Sequence, residues 1–191
     1  MNAPHPTFDA DWHRARMASA YQPYFCEENV WRLLADGVVP EPAAALFITN
    51  RRRTVAMWGQ RAATRDPIVW DYHVVALSLA GGGLVLDLDD RERAAWPLAE
   101  WLAHAFPVAV AGPHDPRFRI VPREPFLERF CSDRSHMRDA AGLPLQPFPA
   151  WPAPFDPQVG MTLPRFLDLD DPIAGTVTDR PGLLRLATAR A

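Results

Sequence analysis

The chain has 191 residues, of which 48% are hydrophobic and 23% are charged, and its formal net charge is −3. This length and composition suit a soluble globular protein, so we expect a single domain over residues 1–191 and a monomer. The small negative charge argues against a nucleic-acid-binding surface. No apolar run approaches the roughly 18 residues that predict a membrane span, so we expect neither nucleic acid nor membrane as a partner.

The N-terminal residues 1–20 contain acids and no continuous apolar segment. They predict a partly flexible tail and not a secretory signal. The chain has two cysteines, Cys26 and Cys131, which is too few for the disulfide framework of a small secreted domain. A reducing cytoplasm is therefore the expected compartment.

The first predicted element is a helix over residues 26–34, where apolar residues recur at helical spacing. Two β-rich segments follow, at 45–49 and 54–58. The Asn-Arg-Arg-Arg stretch at 50–53 has the character of a turn, so these two segments are predicted to form a hairpin.

A second predicted hairpin joins a long β-rich run at 67–79 to another at 84–90, with a triple-glycine turn between them. The later elements are a helix at 97–106, a strand at 117–121 and two helices at 124–130 and 162–169. Six prolines in 142–157 predict an extended segment that wraps the domain. A helix followed by antiparallel strands and then mixed elements predicts an α+β fold with an antiparallel sheet.

A possible catalytic group comes from the first helix and the second hairpin. A helix N-terminus and a nearby imidazole both favour the thiolate form of a cysteine, and Cys26 lies at a predicted helix start. If the second hairpin folds about Ala80, His73 faces Asp87 on the same side of the sheet. Asp87 lies between leucines, and a carboxylate in an apolar strand needs a partner. The pattern predicts a nucleophile, a base and an orienting acid.

Each of these residues also has a structural interpretation: a packed cysteine, a core histidine and a turn aspartate. The competing chemistry is a zinc site. It would use two cysteines and two histidines, Cys26, Cys131, His73 and His136. No pair among them has the short spacing that is typical of zinc ligands.

Several longer stretches resemble one known family. The stretches YFCEENVWRL, LFITNRRRTVAMWGQRA, IVWDYHVVAL, VLDLD and FCSDRSHM, in this order, resemble the protein N-terminal glutamine amidohydrolases over most of residues 21–171. The resemblance implies a papain- or transglutaminase-like core, with Cys26, His73 and Asp87 as nucleophile, base and orienting acid. It also implies deamidation of N-terminal glutamine in proteins or peptides, giving glutamate and ammonia, with no metal or organic cofactor.

A substrate with a free N-terminus brings an ammonium group, which needs a carboxylate or a carbonyl partner. The candidate substrate-binding residues are Glu27, Asp71, Tyr72, Asp133 and Arg134. Glu27 is equally explained as a first-turn acid that the helix dipole favours. Asp133 and Arg134 are equally explained as a cap and an ion pair, and Tyr72 as a core residue.

Two other classes of function remain open from the residues alone. A module that binds protein N-termini without catalysis would keep the same pocket. A cysteine peptidase or a transglutaminase would use the same three residues on another amide, so only the family resemblance favours deamidation.

Overall fold

The computed structural model describes residues 17–108 and 112–188, so most of the predicted tail lies outside the described residues. The strands are β1 (Ala43–Thr49), β2 (Val55–Met57), β3 (Ile68–Trp70), β4 (His73–Ser78), β5 (Leu84–Leu86), β6 (Ala95–Pro97), β7 (Arg117–Pro122) and β8 (Thr176–Thr178). The helices are α1 (Cys26–Ala35), α2 (Leu98–Ala105), α3 (Arg123–Arg129), α4 (Leu163–Leu167) and α5 (Arg180–Thr188).

Six of the strands form one sheet in the order β6-β5-β4-β1-β7-β8. Every neighbouring pair in this sheet is antiparallel. The central strand β1 is buried along its whole length. The predicted α+β class with an antiparallel sheet is confirmed.

The sheet is covered on both faces, which gives two apolar cores. One core contains α1 residues such as Leu33, and the other contains α2 residues such as Trp101. Side chains alternate between them along β1, because Phe47 belongs to the first core while Leu46 and Ile48 belong to the second. A site at one end of this sheet therefore receives groups from helices on opposite faces.

The first predicted hairpin is wrong. The chain does turn after β1, where Asn50 Oδ1 accepts the backbone N–H groups of Arg52 and Thr54 at 3.0 and 3.1 Å. However, β2 pairs with β3 in a separate two-stranded sheet. Both edges of β1 are already occupied by β4 and β7, so no edge is left for β2.

The second hairpin joins β4 and β5, and its register differs from the predicted one. Ala76 pairs with Leu86, so the hairpin is centred at Gly81 and not at Ala80. Residues 81–83 are all glycines with φ between 57° and 95°, a region that side chains with a Cβ rarely adopt. The ladder is shifted by two residues, and an even shift keeps every side chain on its predicted face.

The other predicted helices and the strand at 117–121 are present with small changes at their ends. The run at 67–79 is broken at residues 71–72, so that β3 and β4 join different sheets. The short edge strands β6 and β8 and the helix α5 were not predicted from the sequence.

The proline-rich segment 142–157 lies against the start of α1. Phe148 contacts Phe25 edge to face, with ring centroids 5.8 Å apart. Trp151 donates its indole N–H to Glu28 at 3.1 Å. None of the helices in the described part of the chain has the length and hydropathy needed to cross a bilayer.

Candidate active site

Cys26 is the first residue of α1, where the chain enters the helix through a constrained turn. Tyr24 has a φ of 69°, and no described side chain caps the helix at Phe25. The Asn29 side chain fixes this entry, because it accepts the N–H of Gln22 at 3.0 Å and donates to its carbonyl at 2.9 Å. The uncapped first turn leaves backbone N–H groups that favour a negative charge.

His73 begins β4, and Asp87 follows the end of β5. His73 Nε2 lies 2.9 Å from Asp87 Oδ1, and both side chains are almost completely buried. An ionised carboxylate only accepts hydrogen bonds, so Nε2 carries the proton. The other ring nitrogen, Nδ1, is left for a reacting group.

Asp87 is held as a carboxylate by several donors. Its Oδ2 accepts from Gln60 Nε2 at 3.1 Å and from Trp101 Nε1 at 3.2 Å. Its Oδ1 also accepts the backbone N–H of Asp89 at 3.2 Å. Burial alone would raise the pKa of Asp87, but the charge of His73 and the hydrogen bonds from His73, Gln60 and Trp101 lower it. Burial likewise disfavours the His73 cation, yet the charge of Asp87 and its hydrogen bond raise the pKa of His73.

Cys26 contacts both a donor and a carboxylate. The pKa of its thiol is raised, first by burial and then by the charges of Glu27 and Asp89. Glu27 Oε2 lies 3.5 Å from the sulfur. A backbone hydrogen bond from Val74, the residue after His73, acts in the opposite direction. The sequence led us to expect a lowered thiol pKa, but burial and then the neighbouring carboxylates raise the pKa of Cys26 and favour the neutral thiol.

Cys26 and His73 open onto one cavity of about 610 Å³. Its walls are largely apolar and include Tyr24, Trp70, Met137, Met161, Leu163 and Leu167. A concave, mostly apolar site with a few polar groups is typical of a small-molecule or peptide-terminus pocket.

Glu27 is enclosed behind two side chains that line this cavity. Its Oε2 accepts the hydroxyl of Tyr72 at 3.1 Å, and its Oε1 lies 3.2 Å from His136 Nε2. Glu27 is fully buried, whereas Tyr72 and His136 are partly exposed along the cavity wall. The structure therefore brings Tyr72 to the cavity and places Glu27 one layer behind it.

The other two predicted carboxylates differ in position. Asp71 is exposed and lines the cavity, and its side chain accepts the N–H of Tyr72 at 2.9 Å. Asp133 is exposed and is not part of the cavity wall. It accepts the N–H of Ser135 at 2.8 Å, and hydrogen bonds from the Ser135 side chain and then from its backbone lower the pKa of Asp133.

The predicted site residues lie in the part of the chain that matches the sequence model of a known protein family. A family model described as N-terminal glutamine amidase matches residues 21–186, which include Cys26, His73 and Asp87. The chain belongs to this family.

Relatives of this amidase-family chain are found in several animals. A protein of Bos taurus named protein N-terminal glutamine amidohydrolase is 33% identical over 87% of this chain and 86% of its own length. The protein of the same name in Homo sapiens is 33% identical, with 81% of this chain and 80% of that protein covered. A Caenorhabditis elegans protein of that name is 30% identical, with 87% and 94% covered.

Sequence reasoning missed two groups of the amidase-family site. Asp89 lines the cavity and accepts the hydroxyl of Tyr21 at 2.9 Å. Asp89 is two residues after Asp87, and this spacing could have indicated that both side chains point to the same face. No local pattern could have predicted the hydrogen bond from a tyrosine 68 positions away. His136 was considered only as a zinc ligand, and its contact with Glu27 depends on the tertiary fold.

One group of side chains in the described part of the chain is close enough together to bind a single metal ion. His73, Asp87 and Asp89 offer ligand atoms that all lie within 4.8 Å of one another. His73 and Asp87 are already hydrogen-bonded to each other, so the pair is satisfied without an ion. Neither Cys26 nor Cys131 belongs to the group, so the zinc alternative has no counterpart among these residues.

Arg134 binds a residue of α1 and does not line the cavity. Its guanidinium binds both carboxylate oxygens of the fully buried Glu28, at 2.8 and 2.7 Å. It also donates to the carbonyl of Trp151 at 2.9 Å. A bidentate buried pair of this kind fixes orientation as well as charge.

We expect Arg134→Met to destabilise the fold strongly, because it leaves the Glu28 charge buried without its cation. Removing one partner of a buried ion pair costs about 3–5 kcal/mol in the free energy of unfolding. The matched control is Arg138→Met, in the same loop, whose guanidinium donates to Gly142 and lies over Phe148 at an exposed position. It should cost less than about 1 kcal/mol. Urea unfolding followed by circular dichroism tests this, and equal losses in the two variants would contradict it.

Proposed function

We propose that this chain hydrolyses the side-chain amide of an N-terminal glutamine in proteins or peptides, releasing ammonia and leaving N-terminal glutamate. The observation that carries the proposal is that a helix-start thiol, Cys26, and His73, which is paired with the buried Asp87, line one cavity. Membership of the N-terminal glutamine amidase family supports this choice of amide over others.

The first half of the proposed reaction forms a thioester. Cys26 Sγ attacks the side-chain carbonyl carbon as its proton passes to His73 Nδ1. The oxyanion develops beside the uncapped start of α1, where backbone N–H groups donate to it. The His73 imidazolium then protonates the amide nitrogen, the C–N bond breaks, and ammonia leaves.

The second half repeats these steps with water. His73, neutral again, takes a proton from a water molecule that attacks the thioester carbonyl. The C–S bond breaks, glutamate forms, and the proton returns to the Cys26 sulfur. Throughout the cycle Asp87 holds the tautomer of His73 and stabilises its charged form.

Transfer of the thiol proton during the attack suits the surroundings of Cys26. Burial and then the charges of Glu27 and Asp89 raise the pKa of the Cys26 thiol, which favours loss of its proton together with the attack rather than before it. His73, whose Nε2 is committed to Asp87, then accepts the proton at Nδ1 as the bond to carbon forms. We propose Tyr72, which lines the same cavity, as a group that contacts the N-terminal residue of the substrate.

The experiment is to incubate the purified protein with a peptide that begins with glutamine and with its N-acetylated form. We expect ammonia release, and the mass change from amide to acid, only for the free peptide. A pocket built for an ammonium rejects a group that cannot form its hydrogen bonds, and we expect a difference of at least roughly 10²-fold.

Each other outcome identifies a rival function. Cleavage of the peptide chain would indicate a peptidase. Binding without any change of mass would indicate a module that recognises N-termini. Equal turnover of the acetylated peptide would exclude recognition of a free N-terminus.

A further inference from the structure

The cavity wall contains one carboxylate that lies beside the reacting groups. An Asp89 oxygen lies within 4.8 Å of a His73 ring nitrogen. One of its oxygens, Oδ1, accepts the Tyr21 hydroxyl at 2.9 Å. The other, Oδ2, accepts no hydrogen bond from any residue in 17–108 or 112–188. Asp89 is half-buried, so this oxygen is sheltered from bulk water yet within the cavity.

The other acids near the site are placed less well for a cation. Both oxygens of Glu27 are engaged by Tyr72 and His136, and the side chain is fully enclosed. Asp71 is exposed at the rim, where water screens its charge. Asp87 is fully buried and committed to His73, Gln60 and Trp101.

We propose that Asp89, oriented by Tyr21, binds the α-ammonium group of the substrate's N-terminal residue. The inference rests on the proposed function, because that function requires a cationic N-terminus next to Cys26. Four bonds of about 1.5 Å separate the α-nitrogen of glutamine from its side-chain carbonyl carbon, a span of roughly 5 Å when extended. Asp89 therefore sets which glutamine reacts, because an internal glutamine brings no cation.

An ammonium group bound to Asp89 also makes the Cys26 thiol easier to ionise. The negative charge of Asp89 is one of the causes that raise the pKa of the Cys26 thiol. An ammonium on Asp89 neutralises that charge, so the correct substrate lowers the barrier to ionising Cys26 as it binds. Burial also raises the pKa of Asp89 itself, which an ammonium partner reverses.

The test measures binding in a Cys26→Ala background by calorimetry, so that it does not depend on turnover. Two peptides are compared: one beginning with glutamine and one whose first residue lacks only the α-amino group. We expect the first to bind about 10- to 100-fold more tightly, the range of a charge-assisted hydrogen bond. Adding Asp89→Asn should reduce this preference to nearly one.

Asp71→Asn is the matched comparison variant. Asp71 is the other aspartate in the cavity wall, but its side chain is exposed to solvent. Retained preference with Asp89→Asn, or its loss with Asp71→Asn instead, overturns the inference. The desamino peptide keeps every other contact with the protein. A purely structural defect in Asp89→Asn would therefore weaken the binding of both peptides equally and leave the preference intact. That result also overturns the inference. A wild-type protein that shows the preference but releases no ammonia would contradict only the proposed function.

Discussion

We expect replacement of Cys26 by alanine to abolish the release of ammonia from a glutamine-initiated peptide while the protein remains folded. The proposed reaction forms a covalent bond to Sγ, and removal of a nucleophile costs roughly 10³-fold or more in kcat. Cys26 is buried at the start of α1, and the change to alanine removes one sulfur atom without adding volume. Ammonia release and the circular dichroism spectrum are measured on the same preparation.

Cys131→Ala is the matched control for the thiol. Cys131 is also buried, but it is not part of the cavity wall, and its sulfur accepts the N–H of Asp156 at 3.0 Å. We expect this variant to keep most of its activity. Full turnover by a folded Cys26→Ala protein excludes the covalent mechanism, and an inactive, folded Cys131→Ala protein shows that the wrong thiol was assigned.

The second large effect concerns Asp87→Asn. An asparagine can accept from Gln60 and Trp101 only if its NH₂ group faces His73, and Nε2 must then accept a hydrogen bond. The proton moves to Nδ1, the nitrogen that has to take the thiol proton. By analogy with the loss of the orienting acid in serine proteases, we expect kcat to fall on the order of 10³–10⁴-fold.

The pH dependence of kcat/KM is a second measurement on the Asp87→Asn variant. Asp87 raises the pKa of His73, and the base form of His73 is generated as the pH rises through that pKa. Without the carboxylate this pKa falls, so the acid limb of kcat/KM moves to lower pH. A limb that stays in place, or moves to higher pH, contradicts the proposed pairing.

Gln60→Met is the control for Asp87→Asn. It removes a hydrogen bond to Asp87 but leaves the carboxylate charge beside His73. Gln60 Oε1 is buried without a partner among the described residues, so losing it has little cost. We expect a much smaller loss of kcat and an acid limb close to that of the wild type.

The sequence predicted the contact between His73 and Asp87 better than it predicted how the strands pair. His73 and Asp87 were expected to face each other across a hairpin centred at Ala80, but the glycine turn is centred one residue later. That difference shifts the ladder by two, and the alternation of strands keeps both side chains on one face. The first hairpin failed because local turn chemistry carries no information about which edges of β1 are free.

The substrate-binding residues were the least predictable part. Glu27 follows the cysteine in sequence, yet the fold encloses it behind Tyr72 and His136. Arg134 was considered for the substrate, but it binds Glu28, 106 positions away. Such contacts depend on how the loop at 132–137 packs on α1, and no local pattern records that packing.

The most direct test of the account is to localise the reaction within one peptide that has glutamine at its first position and at an internal position. The peptide is incubated with the wild-type protein, and fragment mass spectrometry assigns each change of mass to a residue. The account predicts conversion of amide to acid at the first residue alone, with an equal amount of ammonia released. Conversion of the internal glutamine at a comparable rate, or cleavage of the chain, would contradict it.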